Sequence, residues 1–173
     1  MWEKLEGEDW RQLLIKSPQF KEHCRWETLS AQNWRELIDA SIEFSERCAW
    51  EKFDGQNWCW LLQDYPQFAD RCAWEKLSGE HWRGLLAEQP QFVEYCVWER
   101  LDGEDWKGLI LDKPEFAKYC AWEKLDGYDW SELLRSQPQF YDHCTWEMLN
   151  NDNWDMLLRF QPQFSKFRKK SLT

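Results

Sequence analysis

The chain has 173 residues, of which 43% are hydrophobic and 15 are tryptophan, a composition too apolar for a disordered protein. Thirty-two acidic against 22 basic residues leave a formal net charge of −10, which opposes binding to nucleic-acid backbones and anionic lipids. Because there is no apolar run of roughly 18 residues and no signal sequence at the start, we expect a cytoplasmic protein that does not bind membranes.

A 24-residue repeat runs along the sequence and determines the expected fold class. When the positions of each repeat are numbered 1 to 24, all seven copies carry tryptophan at 2 and 10, glutamate at 3, leucine at 13 and phenylalanine at 20. The predicted organisation is a single array followed by a basic tail at 169–173. The repeats are 1–24, 25–48, 49–72, 73–96, 97–120, 121–144 and 145–168.

The first helix of each repeat is predicted from apolar residues at positions 10, 13 and 14. In the second repeat these are Trp34, Leu37 and Ile38, and their i, i+3, i+4 spacing puts them on one helical face. A residue that can cap a helix stands at position 6, usually with glycine after it, and favours a helix start there. The N-cap candidates are Asp54, Ser78, Asp102 and Asp126.

A second, short helix is predicted to begin at position 18, because proline restricts the residue before it and suits a first helical turn. After position 24 this helix could continue or the chain could turn away. A turn is favoured, because a continued helix would place Glu27 on the same stripe as Phe20, where a buried carboxylate is costly. The prolines are Pro18, Pro66, Pro90, Pro114, Pro138 and Pro162.

These elements predict an all-α protein, an α-solenoid of seven 24-residue two-helix repeats. A single repeat buries too little apolar surface to offset the entropy of ordering its chain, so neighbouring repeats must share their cores. The tryptophans at positions 2 and 10 recur with identical spacing. We therefore favour packing for them over a role as exposed stacking platforms for bases or sugars.

The recurring pattern WEKLDGEDWxxLLxxQPQFxxxC, clearest from Trp122 to Cys144, resembles the Trp-rich tandem repeats of uncharacterised bacterial proteins and, more broadly, α-solenoids. The resemblance covers all seven repeats and implies a fold but no activity. Three departures are local. Ile42 replaces the proline of the second repeat, and in the last repeat Asn151 replaces the usual glycine and Arg168 replaces the cysteine, as expected of an end cap.

Catalytic and metal-binding residues form no recognisable set. His23, His81 and His143 are too scattered to cluster by local spacing, and neither a CxxC nor an HExxH motif occurs. Six of the seven cysteines recur at position 24, and stacked helices lie about 8–10 Å apart, farther than a disulfide spans, so buried free thiols are predicted. Cys59, outside that series, is the best candidate for an accessible thiol. We expect no enzymatic activity, no cofactor and no metal.

The positions that differ between repeats are the expected binding surface, because a particular partner requires particular residues outside a shared scaffold. Positions 11, 12, 15 and 16 of the first helix point away from its core face and include apolar residues of the kind that anchor interfaces. Glycine inside a helix is costly, so the two glycines at position 12 leave room for either a neighbouring helix or a ligand backbone. The candidate partner-binding residues are Ile15, Trp60, Gly84, Gly108, Leu111, Met156 and Phe160.

The sequence therefore predicts a non-catalytic scaffold that binds a protein or peptide, basic or neutral with apolar anchors, through the outward face of the first helices. The alternative is a nucleic-acid-related role, either direct reading of bases, which the charge disfavours, or acidic mimicry of nucleic acid. The glutamates at position 3 could form a row that attracts cations, although a local structural role is favoured. Carbohydrate binding would rest on Trp60 alone.

Overall fold

A computed structural model describes residues 2–168, and every regular element in that range is helical. The predicted fold class, an α-solenoid of seven two-helix repeats, is confirmed. The α-helices are α1 (Gly7–Lys16), α2 (Ala31–Ala40), α3 (Gly55–Asp64), α4 (Gly79–Glu88), α5 (Gly103–Asp112), α6 (Gly127–Ser136) and α7 (Asn151–Phe160).

The second helix of each repeat is a six-residue 3-10 helix, a tighter form that proteins use in short pieces. An additional three-residue 3-10 helix occupies positions 2 to 4, where the sequence predicts a turn. The six-residue helices are Pro18–His23, Ile42–Arg47, Pro66–Arg71, Pro90–Tyr95, Pro114–Tyr119, Pro138–His143 and Pro162–Phe167. The three-residue helices are Trp2–Lys4, Trp26–Thr28, Trp50–Lys52, Trp74–Lys76, Trp98–Arg100, Trp122–Lys124 and Trp146–Met148.

The predicted caps begin the α-helices. In α5 the Asp102 carboxylate accepts a hydrogen bond from the backbone N–H of Asp105 at 2.9 Å, and the Asp105 carboxylate accepts one from the N–H of Asp102 at 3.3 Å. This reciprocal capping box satisfies N–H groups that a helix start leaves without partners. The other three N-cap candidates, Asp54, Ser78 and Asp126, also accept a bond from the third helical residue.

The break after position 24 is also confirmed. Cys72 ends its 3-10 helix in an extended conformation, with φ −66° and ψ 131°, and the chain then turns into the next three-residue helix. The turn keeps Glu75 exposed while Leu77, two residues later, is fully buried.

The first three and the last three repeats are each built around two stacked tryptophans. The indole at position 10 is fully buried in the first six repeats and the one at position 2 is half-buried. Within a repeat the two rings stack, with centroids 5.3 Å apart for Trp26 and Trp34 and 5.2 Å apart for Trp98 and Trp106. The predicted packing role therefore holds fully at position 10 and in part at position 2.

The chain divides into two compact units, Met1–Leu77 and Ser78–Thr173. In the first unit α1 packs on α2 and α2 packs on α3. In the second unit α4, α5, α6 and α7 each pack on the next helix. The boundary falls inside the fourth repeat, whose three-residue helix belongs to the first unit because Lys76 Nζ donates to the carbonyls of Glu51 and Phe53 in the third repeat.

The lysine at position 4 ties its repeat to the one before. Lys124 Nζ donates to the backbone carbonyls of Glu99 at 2.8 Å and of Leu101 at 2.6 Å, and Lys52 makes the same two bonds to the second repeat. The second repeat has threonine at position 4. In that repeat Arg25 makes the link to the repeat before, because its guanidinium donates a hydrogen bond to the Glu3 carbonyl at 3.1 Å.

Glycine at position 7 allows the next repeat to approach closely. A Cβ atom added to Gly103 would lie inside van der Waals contact with the Lys124 carbonyl oxygen and 2.6 Å from Asp129 Oδ2. The second repeat carries Ala31 at this position, and within the first unit α2 packs less extensively on α3 than on α1. In the seventh repeat Asn151 is tolerated because no α-helix follows it within residues 2–168.

Replacing Gly103 with alanine tests this close approach. Although alanine ordinarily favours a helix, the added methyl must displace a backbone carbonyl, so Gly103→Ala should lower the free energy of unfolding by about 1–3 kcal/mol. Asn151→Ala, at the equivalent position of α7, should change it by less than about 0.5 kcal/mol. Urea denaturation followed by tryptophan fluorescence measures both, and equal effects of the two substitutions would contradict the packing account.

Restoring the missing lysine of the seventh repeat provides a second test. Met148 occupies position 4 there and is exposed. Met148→Lys should donate to the carbonyls of Glu123 and Leu125 and raise the free energy of unfolding by about 1 kcal/mol. Met148→Glu, of similar length but unable to donate, should not stabilise the chain in the same urea titration; a comparable gain would show that side-chain bonding to these carbonyls is not the cause.

Candidate functional site

The predicted partner-binding residues differ in exposure. Two of them belong to the first unit and five to the second. The exposed residues are Ile15, Trp60 and Phe160, at 41%, 39% and 54%, and the half-buried ones are Gly84, Gly108, Leu111 and Met156.

Positions 11 and 12 meet across neighbouring repeats as charged pairs. Arg11 Nη1 lies 2.5 Å from Glu36 Oε2 in the next repeat, and Lys107 Nζ lies 3.2 Å from Glu132 Oε2. Lys107 is buried and also bonds to Asp129 at 3.1 Å. Burial alone would lower the pKa of Lys107, but its bonds to the two carboxylates outweigh burial and raise it. These residues join repeats to each other.

Side chains at positions 11 and 12 of neighbouring repeats also pack against each other without forming ion pairs. The Arg35 guanidinium lies 5.1 Å from the centre of the Trp60 ring in the next repeat, a cation–π contact that covers part of the predicted anchor. Gly108 accommodates the Arg83 side chain, because an added Cβ would lie 2.7 Å from Arg83 Cδ. Of the two uses proposed for this glycine, room for a neighbour is therefore the one that the structure shows.

Ile15 belongs to a groove between the first two repeats. A cavity of about 280 Å³ has an apolar floor that includes Ile15, Trp26 and Phe44 and a rim of charged side chains. Its wall includes Ser41, whose ψ of 123° differs from the 71° of Gln89 at the equivalent position before a proline. The absence of proline at position 18 of the second repeat thus changes the chain path beside this groove.

Phe160, at the end of α7, is the most exposed of the predicted residues. The guanidinium groups of Arg135 and Arg159 lie 5.5 and 5.8 Å from its ring centre. The first-helix residues in each unit therefore occupy separate local settings, a groove, a cation–π pair and a helix end.

A feature absent from the sequence predictions is a planar side chain at position 23 of every repeat. His23 stacks on Trp2 with ring centres 5.2 Å apart and an interplanar angle of 5°, and Arg47 lies 5.6 Å from the ring centre of Trp26. Because a 3-10 helix has three residues per turn, positions 20 and 23 share a side, and both contact the tryptophan at position 2. The residues at this position are His23, Arg47, Arg71, Tyr95, Tyr119, His143 and Phe167.

All four side chains at position 23 of the second unit are aromatic. Three of them stack on a tryptophan of the same unit, and we name these three the planar row: Tyr119, His143 and Phe167. Ring centres are 4.8 Å apart for Tyr119 on Trp98, 4.5 Å for His143 on Trp122 and 4.4 Å for Phe167 on Trp146, with interplanar angles of 7° to 14°. Tyr119 and His143 are exposed and Phe167 is half-buried. The tryptophan pair of each of the last three repeats thus supports an outer ring, and two of these rings are open to solvent.

The glutamate at position 3 is exposed in all seven repeats. The backbone carbonyls of Glu27, Glu51 and Glu99 accept the lysine hydrogen bonds described above. In these repeats the glutamate therefore joins neighbouring repeats through its main chain and not through its carboxylate. At Glu27 a bond from its own backbone N–H and a second from Arg25, at 3.2 Å, lower the pKa of the carboxyl. The carboxylates of Glu99 and Glu123, in contrast, form no ion pair with any described residue.

The seven cysteines are free thiols, and their exposure is the reverse of that predicted. The six at position 24 are half-buried rather than buried, whereas Cys59, expected to be accessible, is 5% exposed on α3. Burial and, secondarily, the carboxylate three residues later raise the pKa of the six thiols to about 12. They are Cys24, Cys48, Cys72, Cys96, Cys120 and Cys144.

Residues 2–168 contain no group of three or more His, Cys, Asp or Glu side chains arranged to hold a metal ion. None of the described helices is both long and apolar enough to cross a membrane. Lys169 and Lys170 of the predicted basic tail lie outside the described residues, whereas Arg168 bonds to Asn151 and Asp155, each at 3.0 Å, at the end of the last repeat. No protein-family model, curated protein or solved structure matches the chain, so the resemblance to bacterial repeats stays a prediction.

The thiol environment predicts slow alkylation. Only the thiolate reacts, and a pKa near 12 leaves a far smaller thiolate fraction at pH 8 than the ordinary value of 9.0. The native chain should react with iodoacetamide about 100-fold or more slowly than the chain in 6 M guanidinium. Mass spectrometry of timed samples measures this. Rapid labelling of the position-24 cysteines in the native chain would show that burial does not raise the pKa of these thiols.

Proposed function

We propose that this chain is a non-catalytic repeat scaffold that binds a protein or peptide. The observation that carries the proposal is the planar row, in which the rings of three successive repeats stack in the same way on the tryptophan at position 2. Stacking on a tryptophan orders each ring before a partner arrives, which reduces the entropy lost on binding. Aromatic side chains are also the residues that most often anchor interfaces.

The planar row is a better primary contact surface than the first-helix face predicted from the sequence. Positions 11 and 12 of that face already contact neighbouring repeats, as in Lys107 with Glu132 and Arg83 with Gly108. The exposed residues Ile15, Trp60 and Phe160 lie in different local settings, whereas the planar row repeats one arrangement. We therefore assign the first-helix residues a secondary role in binding.

The charge of the chain supports a basic or neutral partner. A formal charge of −10 favours encounter with cationic segments and opposes phosphate backbones. Rings that stack without a basic groove do not meet the usual requirements of single-stranded nucleic-acid binding. Because free thiols are typical of a reducing compartment, the proposal places the protein in the cytoplasm.

Selection from a random library of displayed 12-residue peptides tests the proposal. The wild-type chain should enrich specific peptides, and Tyr119→Arg/His143→Arg should weaken their binding by about tenfold or more, as removal of interface anchors does. Arginine is chosen because Arg47 occupies this position over Trp26, so the stack is retained. Binding is measured by fluorescence anisotropy after circular dichroism has shown that both proteins are folded.

A second variant, Ile15→Ser/Phe160→Ser, is the matched control on the first helices. It should retain most of the affinity for the enriched peptides. Loss of binding in this variant alone would move the contact surface to the first helices. Failure to enrich any peptide would contradict the scaffold function.

A further inference from the structure

The rings of the planar row stack on tryptophan and also attract cations. Tyr119 stacks on Trp98, and the ammonium of Lys118 lies 4.8 Å from the Tyr119 ring centre. The ammonium of Lys166 lies 4.9 Å from the ring centre of Phe167. Cations of the chain itself therefore already lie against two of the rings, which is the chemistry expected of a cation–π site.

Carboxylates alternate with these rings along the chain. Glu123 follows Trp122, which supports His143, and its charge also acts on Cys120, the neighbour of Tyr119. At positions 22 and 3 the second unit has five acidic and two basic residues. They are Glu94, Asp142, Glu99, Glu123 and Glu147, against Lys118 and Lys166.

The first unit shows how the chain's own arginines use equivalent positions. Arg47 lies over Trp26 at 5.6 Å, and Arg25 Nε lies 3.2 Å from Glu27 Oε1. The Arg47 guanidinium also lies 3.5 Å from a Glu22 carboxylate oxygen, so one guanidinium combines a ring with a carboxylate. The position-3 carboxylate of this repeat pairs with the second arginine, Arg25. In the second unit the outer ring is Tyr119 or His143 instead of arginine, and the carboxylates of Glu99 and Glu123 form no ion pair with any described residue.

The spacing of the repeats selects the conformation of the ligand. Packed helices lie about 8–10 Å apart, so we expect successive rings of the planar row at about that interval. A polyproline II chain rises about 3.1 Å per residue with three residues per turn, which brings every third side chain to one side at about 9.3 Å. One side chain in three therefore matches one ring per repeat.

We infer that the planar row binds an extended, proline-rich basic peptide with arginine at every third residue, each guanidinium stacking on one ring and pairing with a position-3 glutamate. The inference rests on the proposed scaffold function and names its partner. Arginine fits better than lysine because its planar guanidinium stacks on a ring and still bonds to a carboxylate. Lys118 and Lys166, both flexible and exposed, swing away as the arginines bind.

Defined peptides test the arginine spacing directly. Fluorescein-labelled (Arg-Pro-Pro)4 should bind the folded chain, whereas a peptide of the same composition with its four arginines consecutive should bind at least about fivefold more weakly. Replacing arginine with citrulline keeps the planar group but removes the charge and should abolish binding. Equal affinity for the two arginine peptides would overturn the inference.

Two protein variants test the site. Tyr119→Arg should weaken (Arg-Pro-Pro)4 binding by about tenfold, because a cation replaces the ring that receives one. Tyr128→Arg is the matched control, since Tyr128 is 52% exposed on α6 and outside the row. Unchanged affinity of Tyr119→Arg, or an equal loss in Tyr128→Arg, would overturn the assignment to the planar row.

Two further measurements separate this inference from the scaffold proposal. Glu99→Gln/Glu123→Gln should lower affinity and reduce its dependence on salt; an unchanged salt dependence would remove the glutamates from the site and overturn the inference. If library-selected peptides bind but (Arg-Pro-Pro)4 does not, the scaffold function stands and the arginine inference fails. Tighter binding of a labelled uridine 12-mer than of (Arg-Pro-Pro)4 would overturn it in favour of nucleobases.

Discussion

Carbonyl groups of three-residue helices lie against the first turn of the preceding α-helix at Gly7, Gly79, Gly103 and Gly127, and the close packing of these neighbouring repeats depends on that approach. Glycine at position 7 makes it possible, as the Lys124 carbonyl against Gly103 shows. The same lysine then reaches back to two carbonyls of the preceding repeat. One residue therefore both approaches its neighbour through its backbone and binds it through its side chain.

Two classes of residue follow from this arrangement. Side chains that recur in every repeat form the core, where the indole at position 10 is buried against the one at position 2. In Trp10, Trp34, Trp58, Trp106 and Trp130 the buried indole N–H has no acceptor among the described residues, so the stack depends on apolar area and ring contact. Side chains that differ between repeats either join neighbours at positions 11 and 12 or complete the outer ring at position 23.

The sequence predicted the fold class, the start of the α-helices and the break after position 24, because capping residues, the 3.6-residue period and proline act locally. It did not predict the pairing of Arg35 with Trp60 or of Arg83 with Gly108, because that pairing depends on the register between packed helices. The planar side chains at position 23 were missed for a different reason. Histidine, arginine, tyrosine and phenylalanine differ in hydropathy and charge and share only a flat shape, so a hydrophobic pattern does not reveal them.

Pairing at positions 11 and 12 also gives the repeats a defined order. Glu132 forms an ion pair with Lys107 of the repeat before it, whereas Gly108 leaves room for the long side chain of Arg83 in the repeat before it. A tandem duplication of the fifth repeat would place Lys107 against a glycine and leave a buried ammonium without its glutamate. Repeats of nearly equal sequence are therefore not interchangeable, and recombination that copies or deletes one of them would be selected against wherever the new neighbours do not match.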